Sequence, residues 1–386
     1  MKKQSYQSSR VAYIVLLNSP SLGIERAIQG KVDALDALGI PDFDVFVLNT
    51  QKRETHSRLH FVRLPGKPFP GRYFDLLFRR YRLIEQCIDL SSYDCIILRY
   101  PFADPSGPAF FKRHAVITEH HTDELLEKRA VLSQKLTPPM RVVQKLRLFL
   151  EQRYGGAILR QSRGVIAVTD EIRRVELNRA GKNLPSITIP NGIDVNAVSA
   201  TGCRPFDGSQ LDAVFLANSL APWHGLDRIV ASLDAYSGAV AVKLHIIGDI
   251  DSTPFLRNDS LRSRLVFHGR KTGEELDRLM SQMHLGFSTM ALYRNGLKQG
   301  CVLKTREYMA RGLPFVIGYE DPDLKAVPAT RVFFLKLANN DEPFAFDDSI
   351  NFARTVAAAG ADETSVTMRK YAVEHMDWRA KMKMYL

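Results

Sequence analysis

Arg294-Asn295-Gly296-Leu297-Lys298-Gln299-Gly300-Cys301-Val302-Leu303-Lys304-Thr305-Arg306-Glu307-Tyr308-Met309-Ala310-Arg311-Gly312-Leu313-Pro314-Phe315-Val316 runs from a glycine-containing loop into a short helix and then into an apolar, β-branched stretch. Gly312 suits a left-handed cap and Pro314 cannot continue a helix, so the helix stops there. At its other end the amides near Gly300, Cys301, Val302 and Leu303 have no partner within the helix and carry the positive end of its dipole. That combination makes an anion site. Lys304 and Glu307 stand three residues apart and share a helix face, with Arg311 following on the same side. Amides for phosphate, and a carboxylate one turn deeper that can accept bonds from two ribose hydroxyls, suit a nucleoside diphosphate. The plainer reading of the same residues is a capped surface helix with a solvated Lys–Glu pair.

The same alternation of β-branched runs and helical periodicity extends in both directions, which predicts an α/β fold with mainly parallel sheets. In the first half, strands are expected at Val11–Leu17, Phe43–Leu48, Cys95–Arg99, Ala115–Glu119 and Gly164–Thr169, with helices over Ala27–Leu38, Phe74–Cys87, Arg141–Arg160 and Asp170–Ala180. A strand over Pro185–Asp194 closes on the turn signal Pro190-Asn191-Gly192. A second cycle then begins, with strands at Leu211–Ala217, Val242–Ile247, Leu265–His268, Leu285–Ser288 and Pro314–Ile317 and helices at Gly225–Ala235, Gly273–Met280 and Val302–Arg311. Two such cycles predict two Rossmann-like, doubly wound domains facing across a cleft, over 1–190 and 191–365, and a helical segment 366–386 packing back on the first. Ligands of such sheets bind where strands end and helix N-termini point.

The chain has 386 residues, enough for two sizeable cores, and its 45% hydrophobic and 25% charged residues are ordinary for a globular protein. No apolar stretch approaches ~20 residues, and Val11–Leu17 reads as a first strand, not a signal peptide. Cys87, Cys95, Cys203 and Cys301 lack metal-ligand spacing and suit a reducing, cytoplasmic setting. The net charge of +11 is uneven: residues 1–200 hold 30 Lys/Arg against 20 Asp/Glu, and the remainder 23 against 22. A basic first half can face a phosphate-bearing substrate or an anionic membrane. Nucleic-acid motifs are lacking. Phe78-Arg79-Arg80-Tyr81-Arg82-Leu83 and Arg141–Leu150 mix cations with apolar residues at helical spacing, as a membrane-lying helix does and as a helix packed on its own sheet does.

Four segments resemble the family 4 glycosyltransferases, retaining enzymes of the GT-B fold. They are Ile189-Pro190-Asn191-Gly192-Ile193-Asp194; Phe215–Ser219 followed by Trp223-His224-Gly225-Leu226-Asp227-Arg228; Leu244-His245-Ile246-Ile247-Gly248-Asp249; and Leu303–Pro314. The resemblance covers about 185–320, and the first half matches in general pattern only. It implies that Glu307 binds the donor ribose and that Gly300, Cys301, Val302 and Leu303 line phosphate and sugar. The family usually has a carboxylate eight residues before the ribose Glu; Gln299 stands there. An Arg and a Lys commonly face the diphosphate at the positions of Asn218 and His224, so Arg294 and Lys304 are expected to supply the missing charge. His224 also reads as a local cap, and Asp227-Arg228 as a solvated pair.

His268 ends a strand that faces the cleft in this fold and is a candidate donor contact, and Arg270-Lys271 after it reads either as flanking the nucleotide base or as a basic loop. A histidine of the first domain often contacts the donor sugar in this family, and His120, ahead of His121, is the candidate. Gly23 lies in the loop expected after the first strand. The implied reaction moves a hexose-type sugar from a nucleotide diphosphate sugar to a saccharide or lipid-linked acceptor with retention, without cofactor or obligate metal, in bacterial surface polysaccharide synthesis. Its place is the cytoplasm, peripheral on the inner face of the plasma membrane. A nucleotide-sugar epimerase of the same fold and a non-catalytic GT-B partner subunit remain alternatives; an NAD-dependent enzyme lacks its GxGxxG after the first strand.

Overall fold

Val11–Leu16 is β-branched and apolar almost throughout, and all but its first residue is buried, as a strand covered on both faces of a parallel sheet requires. This strand, β1, is central in the first of two units of the computed structural model, which describes residues 9–17, 22–48, 57–64, 71–133 and 136–386. The first unit comprises Met1–Ile189 with Met382–Leu386, the second Pro190–Lys381.

In the first unit β2 (Phe43–Leu48), β3 (Leu59–Val62), β4 (Cys95–Arg99), β5 (Val116–His120), β6 (Gly164–Ala167) and β7 (Ser186–Thr188) join β1 in a parallel sheet of order β3-β2-β1-β4-β5-β6-β7. The connecting helices are α1 (Leu22–Ala37), α2 (Gly71–Phe78), α3 (Arg80–Cys87), α4 (Gly107–Arg113), α5 (Glu124–Leu132), α6 (Pro138–Gln161) and α7 (Asp170–Ala180). In the second unit β8 (Gln210–Leu216), β9 (Ala241–Ile247), β10 (Leu265–Gly269), β11 (Leu285–Phe287), β12 (Phe315–Ile317) and β13 (Phe334–Lys336) form a parallel sheet of order β10-β9-β8-β11-β12-β13. Its helices are α8 (Leu226–Asp234), α9 (Asp259–Arg264), α10 (Gly273–Met280), α11 (Leu303–Arg311), α12 (Phe346–Ala358) and α13 (Ala361–Tyr371), followed by α14 (Trp378–Met382). Both orders reverse direction at one point, between β1 and β4 and between β8 and β11. That is where doubly wound sheets open a crevice at their strand ends.

Where local chemistry suffices, the predicted bounds hold. Thr169 caps α7 by accepting the Ile172 amide at 3.2 Å, and Gly181 closes it at φ 60°, so α7 spans the expected Asp170–Ala180. Where a distant residue intervenes, they fail. The single helix expected over Phe74–Cys87 is broken at Arg79, because the Asp104 carboxylate accepts the Arg80 amide at 2.8 Å and so starts a new helix there. Helix α1 starts at Leu22, not Ala27, which places Gly23 in its first turn and not in a loop. The strand expected over Pro185–Asp194 shortens to β7, because Ile193 pairs instead with the backbone around Asp377 through Ile193 N–H to Met376 O (2.9 Å) and Trp378 N–H to Ile193 O (3.0 Å). Strands β3 and β13 and helices α4, α5 and α9 were not anticipated from periodicity.

The last residues are anchored in the first unit by polar chemistry. The buried Lys31 ammonium donates to Glu119 Oε1 (2.7 Å), Tyr13 Oη (2.8 Å) and Tyr385 Oη (3.0 Å). The segment expected from 366 onward as one unit-packing helix therefore divides, with residues up to Lys381 in the second unit and Met382–Leu386 in the first. No helix among the described residues is long and apolar enough to cross a membrane.

Candidate active site

The loop before α11 is held by backbone pairing. The Gly300 amide donates to Glu320 O (2.9 Å) and the Glu320 amide to Lys298 O (3.0 Å), a short parallel bridge that includes Gln299. A Cβ on Gly300 would lie 2.9 Å from Leu292 and 3.1 Å from Tyr319, so a larger residue would press on both side chains. This corrects one sequence expectation: the Gly300 amide is spent on Glu320 and does not face an anion. Cys301 is engaged as well. Its buried Sγ accepts the Asn191 amide at 2.8 Å and its carbonyl accepts Asn191 Nδ2 at 2.8 Å, while burial pushes the thiol up to about 12. The Pro190-Asn191-Gly192 turn is thereby fastened to the start of α11. Val302 caps α11 without a side-chain bond, so the anion-binding end narrows to the first turn at Leu303 and Lys304.

Lys304 is the cation at that end. Its ammonium is buried, lies 4.0 Å from the centroid of the Phe215 ring and has no hydrogen-bond partner among the described residues. Burial lowers it to about 7. His224 is close enough to sense its charge: burial first, then Lys304, lower the imidazole to about 3. His224 Nδ1 accepts the Ala221 amide at 3.3 Å, as the capping reading of this residue predicts, and its carbonyl accepts the Met290 amide at 3.0 Å. Gly225, at φ 72°, follows; a Cβ there would sit 2.9 Å from the Ala291 amide nitrogen. The loops after β8 and β11 thus dock on each other at the crevice. Asn218 is exposed just beyond β8, and Arg270 is exposed after β10.

Glu307 is half-buried one turn below Lys304. Its Oε1 accepts Arg311 Nε (2.9 Å) and Nη2 (2.8 Å), and Arg311 Nη1 donates to Asp277 (2.7 Å). Both bonds fall on one oxygen, which leaves Oε2 for another donor.

Two expected donor contacts are corrected. Arg294, expected to meet phosphate, donates to both carboxylate oxygens of Asp227 (2.8 Å each), to Asp341 (3.1 Å from Nε) and to Pro222 O (2.8 Å). Two carboxylates already neutralise it. Arg294→Gln is therefore expected to leave nucleotide affinity within about threefold while costing about 0.5–1.5 kcal/mol of stability, as calorimetry and denaturant melts would read. Asp227-Arg228 is accordingly no solvated pair, since Arg228 is buried and donates to Met290 O (2.7 Å) and Ala338 O (2.8 Å). His268 stacks on His245 of the neighbouring strand, with Nε2 2.9 Å from His245 Nδ1, and His245 Nε2 lies 3.1 Å from Asp212. Its ring is engaged in a chain of polar groups across β8, β9 and β10, which accounts for it without a donor contact.

In the first unit His120 ends β5. Its ring is fully buried, stacks on Tyr100 (centroids 4.6 Å apart) and lies 3.9 Å from Glu176, and neither ring nitrogen has a hydrogen-bond partner among the described residues. Burial, reinforced by Arg179, holds it neutral. A sealed ring offers no contact to a sugar in this arrangement, contrary to the expected role. His121 keeps some exposure and lies 3.0 Å from Glu119. Gly23 is in the first turn of α1.

Three residues escaped sequence reading. Thr289, two residues beyond β11, is buried and its hydroxyl has no hydrogen-bond partner among the described residues. Thr305 joins Ser288 (2.8 Å) and Tyr319 (2.5 Å) beneath the start of α11. Arg306 is fully buried and donates to Asn191 O (3.1 Å), Asp321 Oδ1 (2.9 Å) and Asp323 Oδ2 (2.8 Å); Lys381 donates to Asp323 at 2.6 Å. The signal for Arg306 was the Asp321-Pro322-Asp323 pair after β12. Among the described residues no three His, Cys, Asp or Glu side chains are grouped to hold a metal ion.

No curated protein matches the chain. Among solved structures it is similar to a glycosyltransferase from Rickettsia africae (13% identity, TM-score 0.64, covering 98% of this chain and 97% of that one). It is similar also to sucrose-phosphate synthase from Thermosynechococcus elongatus (16%, 0.62, 98% and 97%) and to HepE from Anabaena in complex with UDP-glucose (13%, 0.57, 98% and 100%). The family model Glycosyltransferase Family 4 matches residues 22–197, the half in which the sequence resembles the family only in general pattern, while Asn218, His224 and Gln299 lie outside the match. Two Rossmann-like units of the GT-B fold, the first of them matching Glycosyltransferase Family 4, are what this chain is built from.

Proposed function

We propose that the chain is a retaining glycosyltransferase that takes a hexose-type sugar from a nucleoside diphosphate sugar, with Lys304 and the first turn of α11 holding the diphosphate and Glu307 Oε2 the ribose. One observation carries this reading: a buried ammonium without a hydrogen-bond partner among the described residues, at a helix start without a side-chain cap, with a carboxylate oxygen one turn deeper. HepE, of the same fold, was crystallised with UDP-glucose, which supports a nucleotide-sugar donor here. As the anomeric bond stretches, the leaving diphosphate gains charge, and the helix start together with Lys304 stabilises it. No protein nucleophile is assigned; the leaving phosphate takes the acceptor proton on the same face. His224, Thr289 and Gln299 are neutral donors or acceptors suited to sugar hydroxyls. The acceptor is a saccharide or lipid-linked saccharide of a bacterial surface polysaccharide, which brings the protein to the inner face of the membrane. No cofactor or obligate metal is part of this scheme.

The scheme has a pH signature. In the empty site Lys304 titrates near 7. A bound diphosphate favours the ammonium and raises that value, so binding above neutrality takes up a proton. The Lys304 contribution to UDP affinity is expected to be full below about pH 7 and to fall by up to about tenfold per pH unit above it. Calorimetry in buffers of different ionisation enthalpy would count the proton. Glu307→Gln is expected to weaken UDP by about 10–100-fold and leave pyrophosphate unchanged. Equal losses for both ligands, or none, would remove Glu307 from the ribose.

A further inference from the structure

Helix α6 is amphipathic on the face that its own fold does not use. Leu150, Glu151, Ile158 and Leu159 are buried, and Glu151 is bonded to Tyr100 Oη (2.8 Å) and the Ala103 amide (2.7 Å). On the other side Val142, Lys145, Phe149 and Arg153 recur at helical spacing and are all exposed, Val142 by 66% and Phe149 by 57%. Met140 and Arg141 add another exposed pair before them. The five cations of α6 face no acid on this helix except the buried Glu151. The neighbouring α2 repeats the composition: Phe74 is 50% exposed beneath the Arg79 guanidinium (5.6 Å), and Tyr73 lies under Arg147 of α6 (6.0 Å).

We infer that this stripe of α6 rests on an anionic lipid bilayer, with Val142 and Phe149 entering the interface and Lys145 and Arg153 meeting lipid phosphates. Packing on its own sheet accounts for the buried face of α6 and leaves the exposed one unexplained. A second copy of the chain is the poorer occupant, because a self-facing stripe brings Lys145 and Arg153 against their own like charges. A bilayer surface takes both components at once: apolar side chains at the acyl boundary and cations at the headgroups. The inference extends the membrane placement proposed above and uses no residue of the donor site.

The test is co-sedimentation of the full chain with phosphatidylcholine vesicles, with and without phosphatidylglycerol, at low and high salt. Binding is expected only with phosphatidylglycerol and is expected to weaken with salt. Lys145→Glu with Arg153→Glu should reduce it at least about tenfold, and Val142→Ser with Phe149→Ser about three- to tenfold. Thermal melts and the UDP-induced melting shift should stay as in the parent chain, which separates this test from the donor reading. Equal binding to both vesicle types, no binding to either, retention by both double variants, or a dimer in solution that those variants dissolve would each overturn it.

Discussion

Replacing Lys304 by methionine is expected to make the protein more stable and less able to bind a nucleoside diphosphate. The two effects have one cause. Met is close in length and buries without the cost of an ammonium that lies on the Phe215 ring and has no hydrogen-bond partner among the described residues. Removing such a group contributes about 1–3 kcal/mol, or about 2–10 °C in melting temperature for a unit of this size. Losing a charge-assisted phosphate contact costs about 10–100-fold in UDP affinity, and turnover falls by about a further 10²-fold if the ammonium serves the leaving group. The part of the pH dependence of UDP binding that Lys304 contributes should vanish with it. Thermal melts with and without UDP across pH give every readout. A variant with lower stability and unchanged affinity would mean that Lys304 is a packing residue.

Arg306 should show the opposite balance. Its guanidinium is fully buried between Asp321 and Asp323 and reaches the carbonyl of Asn191. Arg306→Leu leaves the Asp321 carboxylate without its main partner, while Asp323 keeps Lys381, and burial already pushes the Asp321 carboxyl up. The expected cost is about 3–5 kcal/mol, among the largest that a single substitution here could produce. Adding Asp321→Leu should return part of it, since an apolar pair replaces an orphaned charge. Because the same guanidinium holds the Asn191 turn against the start of α11, UDP affinity should fall too, even though Arg306 is not placed on the ligand. Chemical denaturation of both variants is the measurement, and an additive double variant would contradict a coupled pair.

The local rules were reliable where a residue's fate depends on its near neighbours. β1, β2, β4, α7, α10 and α11 were readable because β-branched runs, the Thr169 cap and the glycine caps at Gly181 and Gly312 act within a few residues. The site was half legible. The helix start with Lys304 and Glu307 on one face follows from spacing, as does the carboxylate one turn deeper. Which cation is available does not. Arg294 and Lys304 look alike in a chain of letters, yet one meets Asp227 and Asp341 from distant segments and the other lies against an aromatic ring without a hydrogen-bond partner among the described residues. Gly300 failed for a similar reason: its amide pairs with Glu320, twenty residues on.

By itself, then, the amino-acid order determined that this protein is a pair of parallel α/β units and that a helix starts near 303 with Lys304 and Glu307 on one face. Periodicity, caps and breakers act over one or two turns and need no partner. Only the tertiary structure decided that His120 is sealed under Tyr100, that His268 belongs to a sheet-face chain, and that α6 keeps an apolar, basic stripe uncovered. Burial and charge neutralisation are properties of what the fold brings alongside a residue, and those neighbours are contributed by segments that local periodicity does not connect.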